Sequence, residues 1–188
     1  MLDDSNQRFV LLDRDGVINE AVRDGYVSDA TMLRLIPGSA EAIAALNRRG
    51  YKVIVISNQQ CVGKGILSLE ELDRITMTLR ERILAESGGV IADFFYCPHL
   101  ASDECDCRKP KPGLIRTAQE RHGFDLRRTF LVGDSYQDIE TARRAGCPAI
   151  FVLSGLDAQR YRTGEPLPVP STPVVADLRE AIQMIFET

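Results

Sequence analysis

Short apolar runs alternate along the chain with longer segments in which apolar residues recur at helical spacing. The runs have the length and composition of strands buried on both faces of a parallel sheet. They predict strands at 9–12, 51–56, 93–97, 129–132, 148–153 and 174–175. Strands that alternate with helices favour an α/β fold, a Rossmann-like doubly wound parallel sheet with helices on both faces.

Capping residues set the predicted bounds of the helices. Ser68 and Glu71 have the spacing of a capping box, and Gly50 and Gly123 have the position of residues that end a helix. Asp177 is predicted to cap the last helix. The predicted helices cover about 37–49, 68–87, 112–123, a segment that ends near 144, and 177–186.

The spacing of these elements predicts one domain over 1–188 without a large cap domain. Between Asp13 and Ser57 there is room only for a loop or small flap, at about 17–36, and one helix. A further polar, proline-rich segment at 157–173 is predicted to be a surface excursion. An uncapped site of this kind is open to solvent.

Composition narrows the possible partners. The chain has 188 residues, 44% hydrophobic and 27% charged, with a formal net charge of -4 and no basic stripe, so nucleic acid is not expected. No stretch has the apolar length of a membrane span, and the N-terminus lacks the pattern of a signal peptide. We therefore expect a cytoplasmic protein, monomeric, whose partner is a small molecule.

Two aspartates stand directly after the first apolar run, where parallel sheets collect their chemistry. Asp13 and Asp15 lie one residue apart, so in an extended segment their side chains project to the same side. Two carboxylates this close repel each other unless a cation lies between them or one is protonated. The pair therefore implies a divalent metal, a general acid, or both.

Other strand ends add polar groups at the same edge. Ser57 and Asn58 follow the second run, and Lys109 follows a cysteine-rich loop, while Asp134 and Asp138 follow the fourth run. For a phosphate ester, a carboxylate can attack phosphorus, Mg²⁺ can bring the two anions together, and Ser57 and Lys109 can hold the phosphoryl oxygens. Each motif alone also occurs in turns, caps and calcium loops, but their order favours catalysis.

The cysteine-rich loop at 97–107 is a second candidate metal site. Cys97, His99, Cys105 and Cys107 provide three thiolates and an imidazole, the ligand set of tetrahedral structural zinc. The alternative is a set of reduced surface cysteines beside a chance histidine. Zinc would order a loop with little apolar content and so direct Lys109 toward the substrate.

The order of these motifs resembles the haloacid dehalogenase (HAD) superfamily of phosphatases. By this resemblance Asp13 is the nucleophile and a magnesium ligand, and Asp15 is the general acid/base with its backbone carbonyl on the metal. The resemblance makes Ser57 and Lys109 phosphoryl-stabilising residues. It makes Asp134 a magnesium ligand, with Asp138 a secondary one.

The sequence CxH…CxCRKPKPG narrows the resemblance to the branch that contains heptose bisphosphate phosphatases and histidinol-phosphate phosphatases. The flap sequence and the absence of a partner domain favour the heptose branch, linked to lipopolysaccharide or surface glycans, although the short 100–104 segment also resembles the histidinol branch. The resemblance implies further substrate-binding candidates: Arg23, Asp24, Gly25, Tyr26, Ser57, Asn58, Gln59, Gln60, Arg108 and Lys109.

Two further hypotheses remain open from the sequence. One is a non-catalytic, zinc-braced module that binds a phosphorylated ligand, which does not need Asp15 as an acid. The other is transfer of the phosphoryl group to an acceptor other than water, because an alcohol and water compete for the same acyl phosphate. Multiple turnover of a phosphate ester separates catalysis from binding.

Overall fold

A computed structural model describes residues 7–188 of the chain. The strands are β1 (Arg8–Leu12), β2 (Tyr51–Asn58), β3 (Asp93–Cys97), β4 (Phe130–Gly133), β5 (Ala149–Val152) and β6 (Val174–Val175). The helices are α1 (Ser39–Arg48), α2 (Leu69–Ser87), α3 (Gly113–His122), α4 (Tyr136–Ala145), α5 (Ala158–Arg162) and α6 (Leu178–Glu187).

The six strands form one parallel sheet in the order β3-β2-β1-β4-β5-β6. The order reverses beside β1, because β2 lies on one side of it and β4 on the other. Ligands in sheets of this kind bind outside the carboxyl ends of the strands at such a reversal. The predicted α/β class is confirmed, and the end of β1 is the expected position of a site.

Side chains of each central strand alternate between two hydrophobic layers, as the two-residue period of a strand requires. On β1, Val10 and Leu12 pack in a layer with residues of α1, α2 and α6. Phe9 and Leu11 pack in the opposite layer, against α3 and α4. Both faces of the sheet are therefore covered, which explains why the strand sequences are apolar throughout.

Most helix ends follow the predicted capping chemistry. The Ser68 hydroxyl accepts a hydrogen bond from the Glu71 N–H, and the Glu71 carboxylate accepts one from the Ser68 N–H. Asp177 accepts hydrogen bonds from the first N–H groups of α6. Ser135 and Asp138 form a further capping box that begins α4, with aspartate where glutamate is more usual.

The segments predicted as a flap and as a surface excursion each contain a short regular element. Part of the predicted excursion forms α5, in which Ala158 is buried and Tyr161 packs against the cluster that contains Phe151 and Tyr136. The flap at 17–36 contains a 3-10 turn, Ala30–Met32, and is tied back by a bridge between Asn19 and Leu35. The predicted domain 1–188 also includes residues 1–6, which lie outside the described residues.

Among the described residues, none of the helices combines the length and the apolar character that crossing a membrane would require.

Candidate active site

A tight turn carries the chain away from the end of β1. The carbonyl of Arg14 accepts hydrogen bonds from the N–H groups of Val17 (3.4 Å), Ile18 (2.9 Å) and Asn19 (3.2 Å). Gly16 adopts a φ of 88°, in the left-handed region that favours glycine. A side chain at Gly16 would also meet the carboxylate of Asp134. Both the backbone conformation and the close approach of Asp134 therefore require glycine here.

Asp13 faces a buried ion-pair cluster. Its Oδ2 lies 3.0 Å from the Nζ of Lys109, and the same ammonium group lies 2.5 Å from Oδ1 of Asp138. Lys109 also donates to the carbonyl of Ile56 at 3.2 Å. Asp138 is fully buried, and its second oxygen accepts from the N–H (3.1 Å) and hydroxyl (2.5 Å) of Ser135. Asp138 thereby fixes the ammonium group of Lys109 beside Asp13.

The local charges shift the titration of this cluster. Burial raises the pKa of Asp13 to about 6 and outweighs the charge of Lys109, which lowers it, while the charge of Asp138 adds to the increase. Burial and the charges of Asp13 and Asp138 raise the pKa of Asp134 well above its ordinary value. The two anionic neighbours raise the pKa of Lys109, although burial lowers it. Lys109 is therefore held as a cation.

Asp134 follows β4 and is positioned by the loop after β5. Its Oδ2 accepts a hydrogen bond from the N–H of Leu156 at 3.1 Å. A Cβ atom at Gly155 would lie 1.8 Å from the same oxygen, so only glycine permits this approach. The Ser154 hydroxyl donates to the carbonyl of Gly16 at 2.7 Å and holds the loop against the turn after β1.

These carboxylates fit a divalent cation. One oxygen from each of Asp13, Asp134 and Asp138 lies within 4.8 Å of the others. Lys109 balances one of the three negative charges, and a divalent cation would balance the remainder. Buried oxygen ligands of this type suit Mg²⁺. Because Asp138 is already bonded to Lys109 and Ser135, Asp13 and Asp134 are the better direct ligands.

Asp15 lies beside this cluster in a separate network. Its side chain is 28% exposed and accepts hydrogen bonds from the side chains of Arg14, Asn19 and Gln59. Burial raises the pKa of Asp15, but the Arg14 charge and the hydrogen bonds from Asn19 and Gln59 outweigh burial, so the net pKa is lowered. The free protein thus holds Asp15 as a carboxylate, the form that a general base requires.

The residues at the end of β2 have internal partners. Ser57 is 2% exposed and accepts a hydrogen bond from Gln59 at 3.1 Å. The Asn58 side-chain amide binds both backbone polar groups of Lys109: it donates to the carbonyl at 3.1 Å and accepts from the N–H at 3.0 Å. Gln59 is also 2% exposed. This geometry supports positioning roles for Asn58 and Gln59 more than contact with a sugar.

The four predicted zinc ligands converge. The Sγ of Cys97 lies 3.6 Å from that of Cys105 and 3.2 Å from that of Cys107, and Cys105 and Cys107 are 3.4 Å apart. The Nδ1 of His99 lies 3.7 Å from Cys97 and 3.2 Å from Cys107. Ligands of tetrahedral zinc are separated by about 3.5 to 3.8 Å, given the usual Zn–S and Zn–N lengths. The cluster fits a closed structural zinc site.

A chain of contacts links the flap to the cysteine-rich loop at 97–107, called the zinc loop below after the metal it is predicted to bind. Gln60 donates to the Tyr26 hydroxyl at 2.9 Å and accepts from the Arg108 guanidinium at 3.1 Å. The same guanidinium donates to the carbonyl of His99 at 3.2 Å. Residues 23–25 form an exposed turn at the flap tip, and in the described part of the chain they make no hydrogen bond to another predicted site residue.

Three contributors to the site were not predicted from the sequence. Arg14 is a buried charged residue between the two aspartates, and its position directly after the apolar run and the first aspartate was an available signal. The amide of Asn19 and the backbone N–H of Leu156 carry no comparable signal, because their roles depend on how distant loops fold back.

A family model described as haloacid dehalogenase-like hydrolase matches residues 8–143, and a second, described as HAD-hydrolase-like, matches residues 106–181. The chain belongs to the haloacid dehalogenase-like hydrolases. The expected family is therefore confirmed, and with it an α/β fold with phosphatase neighbours.

Within this family, the chain is similar to several proteins named heptose bisphosphate phosphatases. A Pseudomonas aeruginosa protein named D-glycero-beta-D-manno-heptose-1,7-bisphosphate 7-phosphatase is 41% identical over 87% of this chain and 89% of its own length. A Thermosynechococcus vestitus heptose bisphosphate phosphatase is 36% identical over 78% and 79%. The crystal structure of the B. bronchiseptica D,D-heptose 1,7-bisphosphate phosphatase, complexed with magnesium and phosphate, matches with a TM-score of 0.88 and 34% identity over 96% and 99%.

Proposed function

We propose that this chain is a magnesium-dependent phosphatase that removes the 7-phosphate of D-glycero-D-manno-heptose 1,7-bisphosphate. The observation that carries the chemistry is the contact between Asp13 and Lys109 beside Asp134, which combines a nucleophile, a cation and metal ligands. The relatives that bear the heptose name favour this substrate over histidinol phosphate. They also favour catalysis over a module that only binds a phosphorylated ligand.

The side chains divide the reaction into two balanced steps. As the substrate binds, the Asp15 carboxylate takes up a proton from solvent. The Asp13 carboxylate attacks phosphorus, the bond from phosphorus to the sugar oxygen breaks, and that oxygen takes this proton from Asp15. Water then attacks phosphorus and returns a proton to Asp15, while the bond to Asp13 breaks and phosphate leaves. Ser57 and Lys109 hold the phosphoryl oxygens, and Lys109 is already cationic and fixed by Asp138.

Asp13, Asp134 and the Asp15 carbonyl would hold Mg²⁺, with Asp138 as a secondary ligand. The ion would reduce the repulsion between the Asp13 carboxylate and the substrate phosphate. The carboxylate cluster supports this assignment, because Lys109 alone does not balance its charge. The relative that was crystallised with magnesium and phosphate supports it as well.

The sugar and its second phosphate would lie between the flap and the zinc loop. Arg108 is the best candidate for the second phosphate, because a guanidinium binds phosphate through two parallel hydrogen bonds. Gln60 and Tyr26 already contact each other and Arg108, so they would line the same side of the sugar. The exposed flap-tip residues Arg23, Asp24 and Gly25 would contact it only from the rim.

Zinc would act as a brace rather than a catalyst. The proposed zinc ligands in this loop lie within van der Waals distance of one another. The backbone carbonyl of His99 accepts a hydrogen bond from the Arg108 guanidinium. Ordering this loop would fix Arg108 and the adjoining Lys109. The clustered thiols also need a reducing compartment, which supports a cytoplasmic location. We further propose one domain over 1–188 and a monomeric state.

The assay that tests the function measures phosphate release, in the presence of Mg²⁺, from each anomer of the heptose bisphosphate and from histidinol phosphate. We expect multiple turnovers with the heptose substrate and little release from histidinol phosphate. Asp13→Asn should abolish release from every substrate while the fold and the zinc content stay unchanged. Faster turnover of histidinol phosphate would overturn the substrate, and turnover by Asp13→Asn would overturn the nucleophile.

A further inference from the structure

Arg14 is a buried guanidinium between the two aspartates. Arg14 is only 1% exposed, and long charged side chains are almost never buried without a specific partner. The partner is Asp15: Nη2 of Arg14 lies 2.9 Å from Oδ2 and 3.0 Å from Oδ1, and Nε lies 3.3 Å from Oδ1. The contact runs between adjacent residues, so the turn that places Asp15 also places the group that holds it.

A second side chain closes this arrangement. Gln59 accepts a hydrogen bond from Nη2 of Arg14 at 3.0 Å and donates to Oδ2 of Asp15 at 2.9 Å. Asn19 donates to the other oxygen of Asp15 at 2.8 Å. Donors on both oxygens leave the Asp15 carboxylate little freedom to rotate, because each donor is itself buried. The Asp15 side chain nevertheless remains 28% exposed.

The network is built from parts distant in sequence. Gln59 is anchored through its N–H to the carbonyl of Cys97 at 2.7 Å, and Tyr96 places its ring 5.8 Å from the Arg14 guanidinium. The Tyr96 hydroxyl lies 3.0 Å from that of Thr76 on α2. Gln59 and Tyr96, which contact Arg14, are therefore themselves held by groups on β3 and α2.

Arg14 is not explained by stability alone. Its Nη1 has no hydrogen-bond partner among the described residues, and an unmade hydrogen bond in the interior opposes folding. A buried ion pair is in general weak evidence for stability, since its desolvation offsets the attraction. Because burial of Arg14 costs folding free energy in both ways, its presence is better explained by an effect on the neighbouring Asp15.

We propose that Arg14, with Gln59, is a positioning residue that fixes the orientation of Asp15 for proton exchange with the leaving oxygen and with water. This inference rests on the proposed function, in which Asp15 moves the proton. The backbone N–H of Arg14 donates to Oδ1 of Asp13 at 2.7 Å, but in this scheme the Arg14 side chain touches neither the substrate nor the carboxylates proposed to hold the metal. The alternative is that Arg14 only neutralises a buried negative charge, a task that any cation of similar reach performs.

Arg14→Lys separates these two explanations, because lysine keeps the charge and loses the planar fork that binds both oxygens. We expect kcat toward the heptose bisphosphate to fall roughly 100-fold, the lower range of general acid–base effects, with KM nearly unchanged. With p-nitrophenyl phosphate, whose leaving group needs no proton, the rapid-quench burst of p-nitrophenol should keep nearly its wild-type rate. The steady-state rate that follows the burst should fall, because the attack of water on the phosphorylated enzyme still needs Asp15 to accept a proton.

Arg121→Lys is the matched control. Arg121 also pairs with an aspartate, Asp93 at 3.1 Å, and lies 5.0 Å over an aromatic ring, that of Phe95, but it is outside the site. It should leave kcat and the burst unchanged. Wild-type activity of Arg14→Lys would overturn the positioning role, and so would an equal loss in the burst and in heptose bisphosphate turnover.

Gln59→Met provides an independent arm if Arg14→Lys does not fold, as judged by circular dichroism. It removes one donor to Asp15 and keeps Arg14, so we expect the same selective pattern with a smaller loss. An unselective loss or no loss would contradict the inference. The wild-type enzyme tests the proposed substrate separately: if it rejects the heptose bisphosphate, the comparison is made on whichever alkyl phosphate it hydrolyses.

Discussion

Lys109 and Asp138 form a single buried pair that links the proposed nucleophile to a helix end. The ammonium group binds Asp13 and Asp138 at once, and Asp138 uses its second oxygen to cap α4 through Ser135. The first turn of the helix that follows β4 therefore contains a residue that also positions the ammonium group beside Asp13. Substitution of either member would disturb the charge of the site together with the start of α4.

Gly155 offers a residue-scale test of the metal site. A Cβ atom at this position would lie 1.8 Å from Oδ2 of Asp134, so Gly155→Ala should displace that carboxylate. We expect the Mg²⁺ concentration for half-maximal activity to rise at least about tenfold, the lower range for disturbing the surroundings of a metal ligand. A magnesium titration of initial rates measures this change.

Gly88→Ala is the control for this titration. Gly88 ends α2 with a φ of 73°, and a Cβ atom there would meet nothing within 4 Å. It should lower stability by about 1 kcal/mol through backbone strain and leave the magnesium dependence unchanged. An unchanged magnesium requirement in Gly155→Ala would show that Asp134 is not a ligand.

At the scale of elements, the zinc loop connects two sides of the site. The carbonyl of Pro98 accepts a hydrogen bond from the Gly63 N–H at 2.9 Å, and the carbonyl of His99 holds Arg108. The loop is thus joined to the segment after β2 and to the cation proposed for the second phosphate. Loss of order in this loop should reach the substrate through Arg108 and Lys109.

Cys107→Ser tests this connection. We expect zinc content, measured by elemental analysis, to fall well below one ion per chain, and activity to fall about 10- to 100-fold as Arg108 and Lys109 lose their support. Cys147→Ala, which removes a buried thiol outside the cluster, should leave zinc content unchanged. Full activity of a zinc-free Cys107→Ser protein would refute the brace.

A second element contact, between β3 and the end of α3, has a defined pH dependence. Asp93 accepts hydrogen bonds from His122 (2.9 Å), Arg121 (3.1 Å) and the Phe94 N–H (2.8 Å). Burial raises the pKa of Asp93, but these bonds outweigh it and the net pKa lies below the ordinary value of 3.8. The carboxylate therefore stabilises the fold above the unfolded pKa, and the contribution disappears as the pH falls through the lower, folded pKa.

Asp93→Asn should accordingly lower the free energy of unfolding by about 1 kcal/mol at neutral pH. The difference from wild type should shrink as the pH falls below about 4. Urea unfolding over a pH series measures it, with Asp73→Asn on the exposed face of α2 as the control. A difference that grows on acidification would contradict the assigned sign.

The sequence predicted these elements because their signals are local. Apolar runs, the Ser68 capping box and the glycines after helices lie within a few residues of what they determine. The helix α5 was missed because its segment is polar and proline-rich, and its formation depends on packing of Tyr161 against Phe151. Such packing is not visible in a short window of sequence.

The whole molecule explains why the acidic residues could be predicted and their partners could not. Parallel strands bring all their carboxyl ends to one edge, so motifs after β1, β2 and β4 must meet. Which side chain then binds which depends on loops that return from far along the chain. The pairs Gln59 with Asp15 and Leu156 with Asp134 are of this kind. The convergence of the acidic residues was therefore predictable, but the contacts of Arg14 and Gln59 with Asp15 were not.

The central claim is that Asp13 carries the phosphoryl group during turnover. The most direct test mixes enzyme, Mg²⁺ and heptose bisphosphate, quenches the reaction within milliseconds, reduces the acyl phosphate with borohydride and locates the modified residue by mass spectrometry. The account predicts reduction of Asp13 alone to homoserine, and none in Asp13→Asn. Modification of another residue would contradict the account. So would the absence of any modified residue when the enzyme is active and the intermediate accumulates before the quench.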